Sequence, residues 1–238
     1  MVIILLISAF ETTLFPQNLF FEEYLNPALE TCEGFQLVMG TASRFGLPEL
    51  RTYYVYSTIR SYRLGAQSFG CDLYRENMLR LGGCFALRKA WTVGFSVGLF
   101  NNWVQDNFNR FAYSLGIGSV FQTRPMKISG WVNNLNIPRF SNVDYLPLTY
   151  SVRFDYRTEH KLDVVFAVRS MEKDLPFFNF GAAFSPYKMI RIGAGVNTDP
   201  VYLEYIMELN LGDFIFCYSG SNQQYLGLSH TFDIRFCR

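Results

Sequence analysis

Large apolar residues alternate with small residues in two neighbouring segments, 91–99 and 111–118. The large residues are Trp91, Val93, Phe95, Val97 and Leu99 in the first segment and Phe111, Tyr113, Leu115 and Ile117 in the second. Only Gly, Ser, Ala or Thr stand between them. A period of two places the large side chains on one face of a β-strand and the small ones on the other. This pattern predicts barrel strands that face lipid outside and a narrow lumen inside.

Similar blocks, punctuated by turn residues, fill most of the remaining chain. We expect about fourteen of them, each about ten residues long, which is an even number as in bacterial outer-membrane barrels. The first block covers 33–43 and the last covers 224–236. The sequence therefore predicts an all-β fold, a transmembrane antiparallel β-barrel of about 14 strands, over residues 33–238.

The connections between these blocks alternate in length. Long connections are expected at 44–49, 101–108, 136–145 and 170–176. Short ones are expected at 61, 89, 123–126, 157–160 and 186–188. Long loops on one side and tight turns on the other are typical of outer-membrane barrels, and they predict that both termini lie on the periplasmic side.

The composition is unusual for a soluble protein of 238 residues. Aromatic residues make up 18% of the chain and charged residues only 17%, whereas soluble domains carry about a quarter charged residues. No internal run approaches the roughly 18 apolar residues that a membrane-spanning helix needs. The net charge of +1 indicates no nucleic-acid partner. A membrane barrel is favoured, and a soluble all-β binding protein is the less favoured alternative.

The N-terminal region divides into two predicted segments. Residues 1–17 contain an apolar core and are interpreted as a signal peptide, although a first strand or a buried segment is the alternative. Residues 18–32 are interpreted as a plug or periplasmic segment. Within it, Asn26, Pro27 and Ala28 predict a turn that folds the chain back under the barrel. The alternative is an ordinary turn or helix start before the first strand.

Charged residues fall on the face opposite the apolar one in several blocks. Nine are expected in the lumen: Arg63, Arg80, Arg153, Asp155, Asp163, Arg169, Arg191, Asp233 and Arg235. Charges of both signs on one face can pair across neighbouring strands. They form either a structural network that holds a narrow lumen, which we favour, or the lining of a selective pore.

Residues that carry chemistry are scarce. The five cysteines are scattered and the only histidines are His160 and His230, so neither a metal nor a cofactor is expected, while one disulfide stays open. Glu22, Glu23 and Glu76 have no partner base, and we predict no catalytic residue and no enzymatic activity. The tryptophans Trp91, Trp103 and Trp131 form either an interfacial girdle or part of the core.

Several short motifs carry a resemblance to a known family. They are the Y-x-N-P-A segment 24–28, Tyr74-Arg75-Glu76, the run 130–138, Pro147 before a strand, Arg191 to Gly195, and Leu228 to Phe232. Together they resemble the FadL superfamily of outer-membrane β-barrels, in the branch that contains PorV and PorQ.

This resemblance implies a non-enzymatic protein of the bacterial outer membrane. Its partners would be outer-membrane lipid and either secretion-system proteins or hydrophobic small molecules. A charged lumen and a short chain favour an accessory or scaffold barrel of protein secretion. The alternatives are a FadL-like transporter of hydrophobic small molecules and a diffusion porin.

Overall fold

The computed structural model describes residues 25–28, 34–141, 144–172, 174–198, 201–223 and 227–238. The predicted signal peptide, 1–17, and most of the predicted plug, 18–32, lie outside these residues. Within the described part, the chain forms fourteen strands. They are β1 (Phe35–Ser43), β2 (Arg51–Ile59), β3 (Tyr62–Gly70), β4 (Tyr74–Arg88), β5 (Trp91–Val104), β6 (Phe108–Thr123), β7 (Met126–Asn133), β8 (Thr149–Arg157), β9 (Leu162–Met171), β10 (Phe177–Tyr187), β11 (Ile190–Thr198), β12 (Val201–Leu211), β13 (Phe214–Gln223) and β14 (Gly227–Cys237).

Each strand pairs with the next in the chain, and β1 pairs with β14 to close the sheet. The closing register runs from Gln36 opposite Cys237 to Ser43 opposite His230. Closure leaves no unpaired edge along the seam between the first and last strands, so their backbone groups bond to each other. A single 3₁₀ turn, Pro48–Leu50, interrupts the loop between β1 and β2. The predicted antiparallel barrel of about 14 strands is confirmed.

The two faces of the wall follow the sequence pattern. In β5, Phe95 and Val97 are about half exposed, whereas Ser96 between them is buried. In β6, Phe111 is exposed and Ser114 is buried. Large apolar side chains therefore form the outer surface, and small residues form the inner one. Exposure of this apolar outer surface to water would be unfavourable. Among the described residues, no helix is long and apolar enough to cross a membrane.

The described connections differ between the two ends of the barrel. Short turns such as 60–61, 89–90 and 124–125 lie at the end that carries the chain's first and last strand ends, and the long segment 134–148 lies at the opposite end. One expectation was wrong: 101–108 is mostly strand, because β5 and β6 continue as a paired ladder. Asn101 donates a hydrogen bond to Asn109 across this extension. Asparagine side chains that pair across the strands allow polar residues to continue the sheet. The polar composition of 101–108 was therefore not evidence of a loop.

Candidate functional site: the barrel interior

Residues 25–28 lie inside the barrel and are buried against its wall. Leu25 is 5% exposed, Asn26 1% and Ala28 0%. The Asn26 side-chain oxygen accepts a hydrogen bond of 2.9 Å from the backbone N–H of Ala28, which closes a tight local turn. Residues 25–28 therefore form a tight turn within the lumen, and its part in folding the N-terminal segment back under the barrel stays a prediction.

Glycines of β5 and β6 form the surface against which this turn rests. A Cβ added to Gly94 would lie 2.4 Å from the Pro27 backbone, and one added to Gly118 would lie 2.1 Å from the Asn26 side-chain oxygen. Both distances are far below van der Waals contact, so only glycine permits this close approach. The small-residue face that the sequence placed inside the barrel is thus the seat of residues 25–28.

Three hydrogen bonds fix the turn to different strands. Arg63 of β3 donates from Nη1 to the Asn26 carbonyl at 2.7 Å. Asn133 of β7 donates to the Leu25 carbonyl at 3.5 Å, and Asn26 itself donates to the Ser119 carbonyl of β6 at 3.4 Å. The seat therefore spans β3 to β7. The role of residues 18–32 as a plug stays a prediction.

A chain of ion pairs occupies the other side of the lumen, near the short-turn end. It runs in the order Arg157, Asp163, Arg191, Glu208, Arg235 and Asp233. Its N···O distances lie between 2.6 and 3.3 Å, and the chain connects β8, β9, β11, β12 and β14. Its three cations and three anions balance, so it adds no net charge to the lumen.

Two further contacts extend this side. Arg153 pairs with Asp155 along β8 at 2.6 Å. The Tyr54 hydroxyl of β2 lies 3.5 Å from the Asp233 carboxylate and donates to it. Each carboxylate in these contacts lies opposite a guanidinium or a hydroxyl group. The lumen charges are therefore paired with each other, as a structural network requires. Whether they also select ions stays a prediction.

The remaining predicted lumen charges are dispersed. Arg169 is 3% exposed, and its guanidinium lies 5.5 Å from the ring centroid of Phe177. Arg63 binds the turn, and Arg80 lines a small cavity beside it. The nine predicted residues therefore face the interior but belong to several different clusters.

Sequence reasoning did not place three buried carboxylates in the lumen, namely those of Glu76, Glu204 and Glu208. Glu76 is 1% exposed, Glu204 2%, and Glu208 belongs to the ion-pair chain. In β12 the residues at 201, 203, 205, 207 and 209 are apolar or aromatic. The same alternation that marked the other strands would have assigned Glu204 and Glu208 to the inner face.

At the loop end, Arg44 is buried in the connection after β1. Its guanidinium lies 5.5 Å from the ring centroid of Phe69. Burial lowers the pKa of Arg44 to about 10, and attraction to the Glu76 carboxylate opposes this shift. The Tyr74 hydroxyl also donates to Glu76. Arg44 consequently remains charged at neutral pH and helps to hold β1 and β4 together.

An apolar layer inside the barrel connects the turn with the long loop. Trp131 and Leu146 are buried, and Phe140 packs against the same cluster, which also includes Phe100 and Leu25. Of the two interpretations of the tryptophans, Trp131 fits the core, because odd-numbered residues of β7 point inward. Trp91 is 44% exposed on the outer face.

The wall beside this layer is made partly of loop. β6 pairs with β7 only from Ile117 to Thr123, so its residues 108–116 extend beyond the end of β7. The described parts of the connection that follows β7, 134–141 and 144–148, cover that gap. The Leu135 N–H donates to the Leu115 carbonyl at 3.0 Å. The Asn136 side chain accepts from the Leu115 N–H at 2.9 Å and donates to the Tyr113 carbonyl at 2.8 Å.

Metal and disulfide chemistry find little support in the described residues. No three His, Cys, Asp or Glu side chains are grouped to hold a metal ion there. Cys71 and Cys217 carry free thiols, whereas Cys32 lies outside the described residues.

A closed antiparallel barrel with an apolar outer band and a polar, filled interior defines the fold class of bacterial outer-membrane proteins. Solved structures of other proteins share this fold. The CymD monoaromatic hydrocarbon channel matches with a TM-score of 0.63 at 10% identity, covering 91% of this chain and 92% of that one. The Ralstonia pickettii toluene transporter TbuX matches with a TM-score of 0.62 at 11% identity, covering 91% and 93%.

A third match has a different description. The Acinetobacter baumannii outer membrane protein Omp33 gives a TM-score of 0.58 at 7% identity, covering 87% of this chain and 100% of that one. No protein-family model matches the chain, and no curated protein matches it. At these identities, the likeness shows a shared fold.

Proposed function

We propose that this protein is a non-enzymatic outer-membrane channel for hydrophobic small molecules. The observation that carries the proposal is the gap in the wall between β6 and β7, which a loop covers and an apolar layer underlies. The likeness to a monoaromatic hydrocarbon channel and to a toluene transporter supports the same class of solute. The secretion-associated role expected from the sequence stays a prediction, and the similar structures named above favour the transporter alternative.

An apolar solute has a physical reason to leave through the wall. Water in the lumen disfavours it by about 25 cal/mol for each Å² of apolar surface, whereas the membrane does not. Trp131, Leu146 and Phe140 provide an apolar surface inside the gap. On the loop, Leu135 is 47% exposed and Ile137 41%. Apolar side chains therefore line both sides of the covering loop.

The covering loop is held weakly compared with a strand. Leu135 and Asn136 supply the three hydrogen bonds to β6 described above. Ile137 has a φ of 45°, a left-handed conformation that strongly disfavours a β-branched residue. The Ser114 hydroxyl of β6 donates a fourth hydrogen bond, of 2.8 Å, to the Asn134 side chain at the start of the loop. Since each net hydrogen bond contributes only about 1 kcal/mol, release of residues 134–136 from β6 costs less than separation of a full strand pair. We propose that its opening connects the apolar layer to the membrane.

A reversible disulfide tests the route. Leu115→Cys with Leu135→Cys would join β6 to the loop at the position where their backbones are hydrogen-bonded. Uptake of radiolabelled toluene is measured in cells whose outer membrane holds this protein and no other hydrocarbon channel. We expect the oxidised double variant to take up toluene several-fold more slowly than the same variant after reduction. Wild type under both redox conditions is the control, because it shows any effect of oxidation on the native cysteines.

Two results would contradict the proposal at different levels. Uptake by wild type no faster than by cells without the protein rejects the channel itself. Fast uptake that the disulfide does not slow rejects only the route through the wall and leaves an axial passage.

A further inference from the structure

A small cavity lies between the 25–28 turn and the wall formed by β2 to β5. Its volume is about 30 Å³, enough for a few water molecules or one compact ion. Its lining includes Leu25, Pro27, Tyr56, Gly65, Arg63 and Arg80. Two cations thus border one void, and no carboxylate is found among the described residues of its lining.

Arg80 is the unusual member of this lining. Its Nε and Nη1 atoms are buried, and neither makes a hydrogen bond. No described carboxylate forms an ion pair with it, in contrast to Arg153, Arg191 and Arg235, which each pair with an acid. Arg63 differs too, because it donates to the Asn26 carbonyl. Arg80 is therefore a half-buried cation with two buried guanidinium nitrogens, and no carboxylate among the described residues pairs with it.

Burial of guanidinium nitrogens without a hydrogen-bond acceptor or a counter-charge costs free energy. Because the guanidinium stays protonated in proteins, it cannot reduce this cost by losing its charge. Water in the cavity would satisfy its hydrogen bonds but would leave the charge uncompensated. A resident anion supplies both an acceptor and a negative charge.

We infer that this cavity binds one compact monovalent anion, a halide or a carboxylate of formate size, through Arg80. The apolar walls at Leu25, Pro27 and Gly65 limit its size, since a larger anion would displace the turn. Bound there, the anion also lies between the 25–28 turn and the wall and stabilises their contact. This site is independent of the proposed hydrocarbon route.

Unfolding of the full chain in a non-ionic detergent tests the inference. The midpoint is measured at constant ionic strength in sodium chloride, sodium formate and sodium gluconate, the last being too large to enter. We expect a higher midpoint in chloride or formate, rising by about 3–5 °C for each tenfold increase above the dissociation constant. The comparison of chloride with formate shows which kind of anion the site prefers.

Two variants make the measurement specific. Arg80→Met keeps most of the side-chain volume and removes the charge, and we expect its midpoint to be the same in all three salts. Arg153→Met removes a lumen guanidinium that is already paired with Asp155, so it is expected to lower the midpoint but keep the anion dependence. A wild-type midpoint that ignores the salt, or an anion dependence that survives in Arg80→Met, would overturn the inference.

A direct measurement needs no variant. Crystals of the wild-type protein grown in sodium bromide are expected to show an anomalous peak within hydrogen-bonding distance of the Arg80 guanidinium. If the chloride arm raises the midpoint but no bromide appears at Arg80, the anion acts elsewhere and the site is wrong.

Discussion

The Nη1 atom of Arg63 donates a hydrogen bond of 2.7 Å to the backbone carbonyl of Asn26. This contact ties a wall strand to the turn inside the barrel across 37 residues of chain. Both β3 and the glycines of β5 and β6 therefore contact the same segment, residues 25–28. The first two predictions concern the strength of that attachment.

Replacement of Arg63 by Met should loosen the turn. A hydrogen bond from a charged donor contributes about 1.5–3 kcal/mol, and we expect the free energy of unfolding to fall by about that amount. Denaturant titration in detergent measures the change. Arg63→Lys retains a charged donor and should lose less. Equal stability of Arg63→Met and wild type would show that the contact does not hold the turn.

Substitution of Gly118 by Ala should displace the turn by direct overlap. The added methyl would lie 2.1 Å from the Asn26 side-chain oxygen. Such overpacking costs about 1–3 kcal/mol, and the shifted turn should increase ion conductance in planar bilayers. Gly83→Ala is the control, because its nearest neighbour would be 3.6 Å away. Unchanged conductance and stability in Gly118→Ala would refute the seat.

Wild-type protein should conduct ions poorly in planar bilayers. The 25–28 turn and the ion-pair chain occupy the lumen from opposite sides, and a hydrocarbon channel needs no continuous water column. Deletion of residues 18–32 should raise the single-channel conductance several-fold. A high conductance in wild type would instead support the diffusion porin among the sequence-based alternatives.

Loss of one carboxylate should break the ion-pair chain in its middle. Asp163 pairs with both Arg157 and Arg191, so Asp163→Asn leaves two guanidinium groups without this partner. Because Arg157 is largely exposed, we expect a loss of about 1–3 kcal/mol, less than for a fully buried pair. Denaturant titration provides the measurement.

Asp72→Asn is the matched control for this prediction. The Asp72 carboxylate is fully exposed and its pair with Arg75 lies at 3.4 Å, so screening by water leaves no measurable effect on unfolding. Equal responses of Asp72→Asn and Asp163→Asn would contradict a structural role for the lumen network.

The sequence predicted the wall of the barrel well, because the period of two is a local property of a strand. The alternation within β5 alone assigns Phe95 to the outer face and Ser96 to the inner face, without information about the neighbouring strands. The same local information placed Arg63, Asp163 and Arg235 on the inside. It failed at 101–108, where polar residues signalled a loop although cross-strand amides continue the ladder.

Contacts between distant residues were decided only by the closed sheet. Asn26 meets the backbone of Ser119 across 93 residues, and Arg191 meets Asp163 across 28. Strand register fixes which inward side chains share a level, and no periodicity within one strand encodes that register. The sequence by itself determined the strands and their two faces. The tertiary structure decided that glycines seat the Asn26 turn, that a loop completes the wall beside Trp131, and that no described carboxylate pairs with Arg80.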